Sequence, residues 1–177
     1  QIGSFKFQRG EPSDALAYFQ TAVAWDSNSP ALRHELAIVL SQLGRTQEAV
    51  DQLEAAVRLA PGEAEFCFKL ALALNEVGDT ARVIAALEQA VNADPNHVRA
   101  WYNLGLARSG RGDPAGAIEA LLRAESLSPN DHQIPYARAT VLARIGKTAE
   151  AQAAARRALE LTPDFAPAKQ LLLQLSE

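Results

Sequence analysis

The sequence predicts an all-α protein in which antiparallel helix hairpins repeat along the chain as a solenoid. Alanine is abundant and β-branched residues are sparse, which favours helix over strand. Glycine makes up only 10 of the 177 residues. Even so, five glycines recur at intervals of 34 positions: Gly10, Gly44, Gly78, Gly112 and Gly146. A period in this range is typical of stacked structural repeats.

A fixed stripe of apolar residues follows each of these glycines. After Gly112, Ala117, Leu121 and Ala124 come five, nine and twelve residues later, and the other copies keep the same residue classes with few exceptions. These offsets fall on one face of a helix. Alanine at two of the three positions lets a neighbouring helix approach closely, and the larger residue between them fills the remaining space.

Glycine and proline mark where the two helices of each repeat end. Glycine reaches the left-handed backbone conformation that terminates the first helix. A proline seventeen residues after the glycine terminates the second helix and disfavours helix in the residue before it. These prolines are Pro61, Pro95, Pro129 and Pro163. The short polar connections then force antiparallel hairpins.

The most complete copy of the pattern spans 98–131, where Trp101, Leu104 and Gly105 precede Gly112. This arrangement resembles the tetratricopeptide repeat, a 34-residue unit with W-x₂-L-G in its first helix and spaced alanine, bulky residue, alanine and proline in its second. The resemblance implies a right-handed superhelical solenoid that forms a single domain over residues 1–177. Its parts are a truncated first repeat at 1–29, full repeats at 30–63, 64–97, 98–131 and 132–165, and a capping helix at 166–177.

Eleven helices are expected from this pattern. The first, Gln1–Arg9, has Ile2 and Gly3 in the leucine-glycine slot. The last, Ala166–Glu177, carries three leucines that can cover the preceding hairpin, as the terminal cap of a solenoid must. They are Leu171, Leu172 and Leu175. Because the chain has no methionine and begins with glutamine, we expect a processed product or a part of a longer protein.

The repeat at 132–165 departs from the pattern in its first helix. Pro135 occupies the tryptophan slot, and proline fits only the first turn of a helix, so we expect this helix to begin near Ile134. Arg138 stands in the leucine slot, where burial without a partner would be costly. Two roles are open for Arg138. It can extend outward to solvent, or it can reach a ligand or a carboxylate in a binding groove.

In the family that the sequence resembles, the first helices of the hairpins line a concave groove. Helical spacing then places groove-facing side chains at the second, fifth, sixth, ninth, twelfth and thirteenth positions of each repeat. The candidate binding residues are His34, Ile38, Phe68, Lys69, Leu72, Arg99, Tyr102, Asn103, Leu106, Tyr136 and Thr140. The candidate residues at the fifth positions form a largely aromatic ladder, and those at the ninth positions form a largely aliphatic ladder beside it. Aromatic residues often dominate the binding energy of such surfaces. Alternatively, these rings pack against neighbouring repeats and face the groove only in part.

The ligand class follows from the polar groove positions. Some tetratricopeptide repeat domains hold the C-terminal carboxylate of a peptide with lysine, asparagine and arginine at the fifth, sixth and ninth positions. In this sequence only Lys69 and Asn103 are similar to such a clamp. We therefore expect a more apolar peptide or a helix as the ligand.

Other classes of function find no support in the sequence. The formal net charge is −4, and no run of lysine and arginine resembles a nucleic-acid footprint. No apolar run approaches the ~20 residues that a membrane span needs. The histidines lack metal-ligand spacing, Cys67 takes a packed slot, and Arg111-Gly112-Asp113 coincides with the end of a helix. We therefore predict no enzymatic activity, no cofactor and no metal.

The sequence thus predicts a non-catalytic scaffold that binds a peptide or partner protein in its groove. Two alternatives stay open. The chain can be a C-terminal accessory module that docks a larger enzyme or electron-transfer protein, or it can self-associate. Self-association would cover three apolar residues of the truncated first hairpin, namely Ile2, Phe5 and Phe7.

Overall fold

The computed structural model describes residues 12–176. Within this range the chain forms ten α-helices joined by short turns, with no strand. The helices are α1 (Pro12–Trp25), α2 (Pro30–Gln42), α3 (Thr46–Leu59), α4 (Ala64–Glu76), α5 (Thr80–Ala93), α6 (Val98–Gly110), α7 (Pro114–Leu127), α8 (Gln133–Arg144), α9 (Thr148–Leu161) and α10 (Ala166–Gln174). The predicted helix at Gln1–Arg9, with Ile2, Phe5 and Phe7, lies outside the described residues.

The chain forms two compact units, residues 1–95 and 96–177. In the first unit, α1 to α5 each pack against the next helix in the chain. In the second unit, α6 to α10 do the same, and α6 also contacts α8. Contact between consecutive helices is what short connections produce, so the predicted all-α hairpin arrangement is confirmed within each unit.

The predicted apolar stripe forms the core. In α7, Ala117, Leu121 and Ala124 are all fully buried, and they cluster with Ile134 of α8. The corresponding residues of α3, α5 and α9 are buried as well. Burying a leucine side chain stabilises a fold by about 1.5–3 kcal/mol relative to leaving it in water, so the repeated stripe is a main source of stability.

The described glycines that recur every 34 residues adopt the predicted left-handed conformation. Gly112, for example, has a φ of 79° directly after α6, a conformation that other residues rarely adopt. The next residue, Asp113, accepts a hydrogen bond from the backbone N–H of Gly116 at 2.9 Å and so caps the N-terminus of α7. Arg111-Gly112-Asp113 is therefore the turn of a hairpin.

Gly105 serves a different purpose, because it lies inside α6 with a negative φ. An added Cβ there would stand 2.6 Å from Cγ of Leu121 and 3.2 Å from the carbonyl oxygen of Ala117. Real Cβ atoms essentially never lie closer than 3.0 Å to such a neighbour. The glycine of the W-x₂-L-G motif therefore lets α6 rest directly on α7.

The last helix covers the end of the second unit as predicted. Three of its leucines pack against the core formed by α8 and α9: Leu171, Leu172 and Leu175. Lys169 and Gln170 face solvent. The Gln152 amide donates a hydrogen bond to the carbonyl oxygen of Leu175 at 2.9 Å, which ties the C-terminal end of α10 to α9.

The irregular first helix of repeat 132–165 begins at Gln133, one residue before the predicted Ile134. Pro135 is buried in its first turn, where the missing backbone N–H has no helical partner to lose. The departure at Pro135 is therefore accommodated without breaking the helix.

Replacing Gly105 by alanine tests the close contact between α6 and α7. We expect the free energy of unfolding to fall by about 1–3 kcal/mol, because the new methyl group overlaps Leu121 and the backbone of α7. Urea denaturation followed by circular dichroism measures the change.

Gly110→Ala is the matched control, because it lies in the same helix and a Cβ there meets nothing within 4 Å. This substitution should leave stability unchanged or raise it by up to about 1 kcal/mol through helix propensity. Equal effects of the two substitutions would contradict the packing role of Gly105.

Candidate ligand-binding surface on the first helices of the repeats

Three of the candidate binding residues, Ile38, Lys69 and Leu72, line one pocket in the first unit. Nine residues of α2, α3 and α4 line it: Ala37, Ile38, Ser41, Gln42, Leu53, Lys69, Leu72, Ala73 and Glu76. Six of them stand at the sixth, ninth, twelfth or thirteenth position of their repeat. The other three, Ala37, Leu53 and Ala73, are buried and form its floor. We call this site the α2–α4 pocket.

The α2–α4 pocket is small and mostly apolar. Its volume is about 170 Å³, whereas sites for drug-sized ligands usually enclose about 300–1,000 Å³. Ile38 and Leu72, both at ninth positions, supply aliphatic walls that are partly exposed. A single side chain matches this volume better than a drug-sized molecule does.

Two charged residues stand on the rim of the α2–α4 pocket. The Nζ atom of Lys69 lies 3.3 Å from Oε1 of Glu65, one turn earlier on α4. Glu76 accepts a hydrogen bond from the Thr46 hydroxyl at 3.3 Å, and no lysine or arginine among the described residues forms an ion pair with it. Lys69 is thus compensated, and Glu76 keeps an unpaired negative charge.

Two of the fifth-position rings lie against aromatic residues near the boundary with the next repeat. The ring of His34 lies 5.1 Å from the ring of Phe66, centroid to centroid, and Tyr136 meets Phe165 edge-on at 5.0 Å. Phe68 is only 1% exposed, so its ring lies beneath the surface. His34 and Tyr136 therefore contact aromatic residues near repeat boundaries, and Phe68 belongs to the core.

Tyr102 is half-buried and packs against the apolar cluster of the second unit. Burial, with a smaller contribution from the negative charge of Asp131, raises the pKa of its phenol. The hydroxyl therefore stays protonated at neutral pH and remains able to donate a hydrogen bond.

His34 carries a buried nitrogen without a partner. Its Nε2 atom is inaccessible to solvent and forms no hydrogen bond. Burial lowers the pKa of His34 below its usual 6.5, Lys69 adds to this effect, and Glu35 and Glu65 oppose it. His34 is therefore neutral at physiological pH.

In the second unit, the polar candidates are partly engaged with their own helices. The Asn103 amide donates to the carbonyl oxygen of Arg99 at 2.8 Å, and the Thr140 hydroxyl donates to that of Ala137 at 2.7 Å. Leu106 is 40% exposed. An exposed aliphatic residue next to satisfied polar groups makes this surface less polar than its sequence indicates.

Arg138 does not extend freely into solvent. Its side chain pairs instead with a carboxylate of a neighbouring helix in the same chain. Its guanidinium lies 3.0 Å from Oε2 of Glu125 on α7, and each side chain is only 19% exposed. The pair occupies the junction of α7 with α8, and the charge of Arg138 is neutralised there.

The repeat pattern alone does not mark Glu125 as the partner of Arg138, although the sequence contains a signal. It stands at the twenty-eighth position of its repeat, where the other full repeats have Val57, Val91 and Leu159. Arg138 replaces leucine in the next repeat. Two polar departures at apolar positions in neighbouring helices are typical of a compensating pair.

Two other contacts were also missed. Arg144 donates hydrogen bonds to the carbonyl oxygen of Ser109 at 2.9 Å and to its hydroxyl, which links α8 to the buried end of α6. The Nδ1 atom of His97 accepts a hydrogen bond from the backbone N–H of Ala100 at 3.1 Å. His97 is thus the N-cap of α6, a role that histidine rarely takes.

Reactive groups are sparse in the described part of the chain. Cys67 is fully buried, as its packed slot predicts, and burial raises the pKa of its thiol, which disfavours the reactive thiolate. Residues 12–176 hold no group of three or more histidine, cysteine, aspartate or glutamate side chains that could bind a metal ion. No helix in that range is long and apolar enough to span a membrane.

Comparison with known proteins agrees with the repeat pattern. Three family models match the chain at residues 6–66, 68–132 and 134–165, and each describes a tetratricopeptide repeat. No curated protein sequence matches the chain.

Solved structures share the fold at low sequence identity. YrrB, described as a tetratricopeptide repeat protein with an unusual peptide-binding site, is 19% identical with a TM-score of 0.85, over 95% of this chain and 87% of its own. A structure of MamA is 24% identical with a TM-score of 0.88, over 94% and 97%. MamA from Desulfovibrio magneticus RS-1 is 25% identical with a TM-score of 0.84, over 93% of each chain.

The Arg138–Glu125 pair can be tested against the residues that other repeats use. Arg138→Leu alone leaves Glu125 unpaired in a mostly buried position, so we expect the free energy of unfolding to fall by about 1–3 kcal/mol. The double substitution Arg138→Leu with Glu125→Leu restores the apolar pattern and should recover stability to within about 1 kcal/mol of the original. Denaturant unfolding measures both; a single variant as stable as the original protein would contradict the pairing.

His34 should make stability depend on pH. Its folded-state pKa is below the unfolded value of 6.5, so the unfolded chain binds the proton more readily in the interval between the two. Stability is therefore full above pH 6.5 and falls as the pH drops toward the lowered folded-state pKa. The His34→Gln variant should lose this part of the pH dependence in denaturant titrations above and below pH 6.5. The other two histidines are present in both proteins and cancel, so equal pH profiles would exclude the effect.

Proposed function

Because the chain belongs to the tetratricopeptide repeat family, whose repeats are typical of protein-interaction scaffolds, we propose that it is non-catalytic and binds a partner polypeptide along the groove formed by its first helices. The observation that carries this proposal is the α2–α4 pocket. Ile38, Lys69 and Leu72 all stand at predicted groove positions of their repeats, and all three line that pocket.

The fold gives such a surface a physical advantage. Side chains on packed helices are already ordered, so binding costs less conformational entropy than it would on a flexible loop. In both units the exposed first-helix surface rests on a core of fully buried alanine and leucine. YrrB, with the same fold, is described as having a peptide-binding site, which agrees with the proposed class of ligand.

Arginine substitutions on the first helices test the proposal. Leu72→Arg and Leu106→Arg should weaken binding of the natural partner at least about tenfold, because each places a bulky charge on the apolar part of the surface. The partner is identified by quantitative mass spectrometry of proteins captured from the source organism on the intact chain. Its affinity for each variant is then measured by isothermal titration calorimetry.

Leu122→Arg is the control, since Leu122 is 49% exposed but lies on α7, a second helix. It should leave the affinity unchanged. If Leu122→Arg abolishes binding and both first-helix variants bind normally, the groove is not the site. The identity of the partner also separates the two alternatives: an enzyme or electron-transfer protein favours the docking module, and a second copy of the chain favours self-association.

A further inference from the structure

We infer that the α2–α4 pocket receives one aliphatic side chain of an extended partner segment in which basic residues flank that side chain. This inference rests on the proposed function, because it specifies the ligand of the same surface. Shape selects the aliphatic side chain, and the distribution of charge selects the basic neighbours.

The shape of the pocket favours an aliphatic group. Its volume of about 170 Å³ is similar to that of engineered protein cavities of about 150 Å³ that bind a single benzene-sized apolar molecule. The floor is formed by Leu53 and two alanines, and no aromatic side chain lines the pocket. An apolar side chain that enters it leaves water without leaving a buried polar group unsatisfied.

The charges around the pocket favour a basic ligand. Glu35 lies one turn before Ile38 on α2, so both lie on the same face of that helix. Glu76 lies one turn after Leu72 on α4 and lines the pocket itself. No lysine or arginine among the described residues pairs with Glu35 or Glu76, whereas Lys69 is already paired with Glu65. The surface next to the pocket therefore carries two uncompensated negative charges.

The spacing of these charges suits an extended peptide. Glu76 is seven residues beyond Lys69 on α4, which corresponds to about 10 Å along the helix axis. An extended segment covers this distance in about three residues. A basic side chain within two positions of the aliphatic anchor can therefore reach Glu76 along α4.

A random library of twelve-residue peptides, displayed on phage and selected on the intact protein, tests the inference and does not require the natural partner. We expect enrichment of peptides in which leucine, isoleucine or valine has lysine or arginine within two positions. A synthetic peptide with the enriched sequence is then labelled with fluorescein, and its affinity is measured by fluorescence anisotropy.

Two variants address the pocket and its charge separately. Ser41→Leu fills the pocket from its partly exposed wall and should weaken the peptide at least tenfold. Glu76→Lys reverses an exposed rim charge and should weaken it at least threefold, and replacing the neighbouring peptide lysine by glutamate should restore most of that loss. Glu119→Lys makes the same charge change on the exposed surface of α7 and should change the affinity less than twofold. Circular dichroism and urea unfolding verify that each variant is folded.

The possible results separate this inference from the proposed function. Peptides that bind Ser41→Leu as tightly as the original protein, yet are lost with Leu106→Arg, would overturn the pocket ligand and leave the groove function intact. Peptides that bind every variant alike, or a selection without any enriched sequence, would overturn both. Enrichment of peptides with an aromatic anchor, or with acidic residues beside the anchor, would overturn the assigned ligand chemistry.

Discussion

The distance between paired helices is the constraint on which the rest of this structure depends. Gly105 leaves no room for a Cβ against Leu121. The alanines that stand five and twelve residues after the recurring glycines are completely buried in α7 and α9. Interiors of this density cannot gain or lose even a methyl group without a cost in stability. The small residues therefore have to recur at a fixed period, and that period is visible in the sequence.

Residues on the groove-facing side of the first helices are under no such constraint. Ser41, Gln42 and Glu76 border the α2–α4 pocket, and none of them is fully buried. Their types can change from repeat to repeat without moving the backbone. A repeat architecture thus separates positions that fix the geometry from positions that are free to suit a ligand, and the proposed binding residues belong to the second group.

This separation explains what the sequence could and could not predict. Helix ends, the buried stripe and the turn at Gly112 each depend on local residue type, and they follow directly from spacing. The exposure of a fifth-position ring depends instead on a residue near the boundary with the next repeat: Phe66 beside His34, Asp131 near Tyr102, and Phe165 beside Tyr136. Register places all these side chains on one face but does not say how much of each remains exposed.

The Arg138–Glu125 pair shows how the geometry tolerates polar residues at positions meant for apolar ones. A lone arginine in the leucine slot would lose its hydration without compensation, whereas a carboxylate at 3.0 Å across the α7–α8 junction neutralises it. In the second unit, Asn103, Thr140 and Arg144 likewise direct hydrogen bonds to the protein's own groups. The described rim of the first-unit pocket differs, because Glu76 contacts only the neutral hydroxyl of Thr46. A charge that the fold leaves uncompensated is available to a partner, so the ligand preference that we propose rests mainly on the first unit.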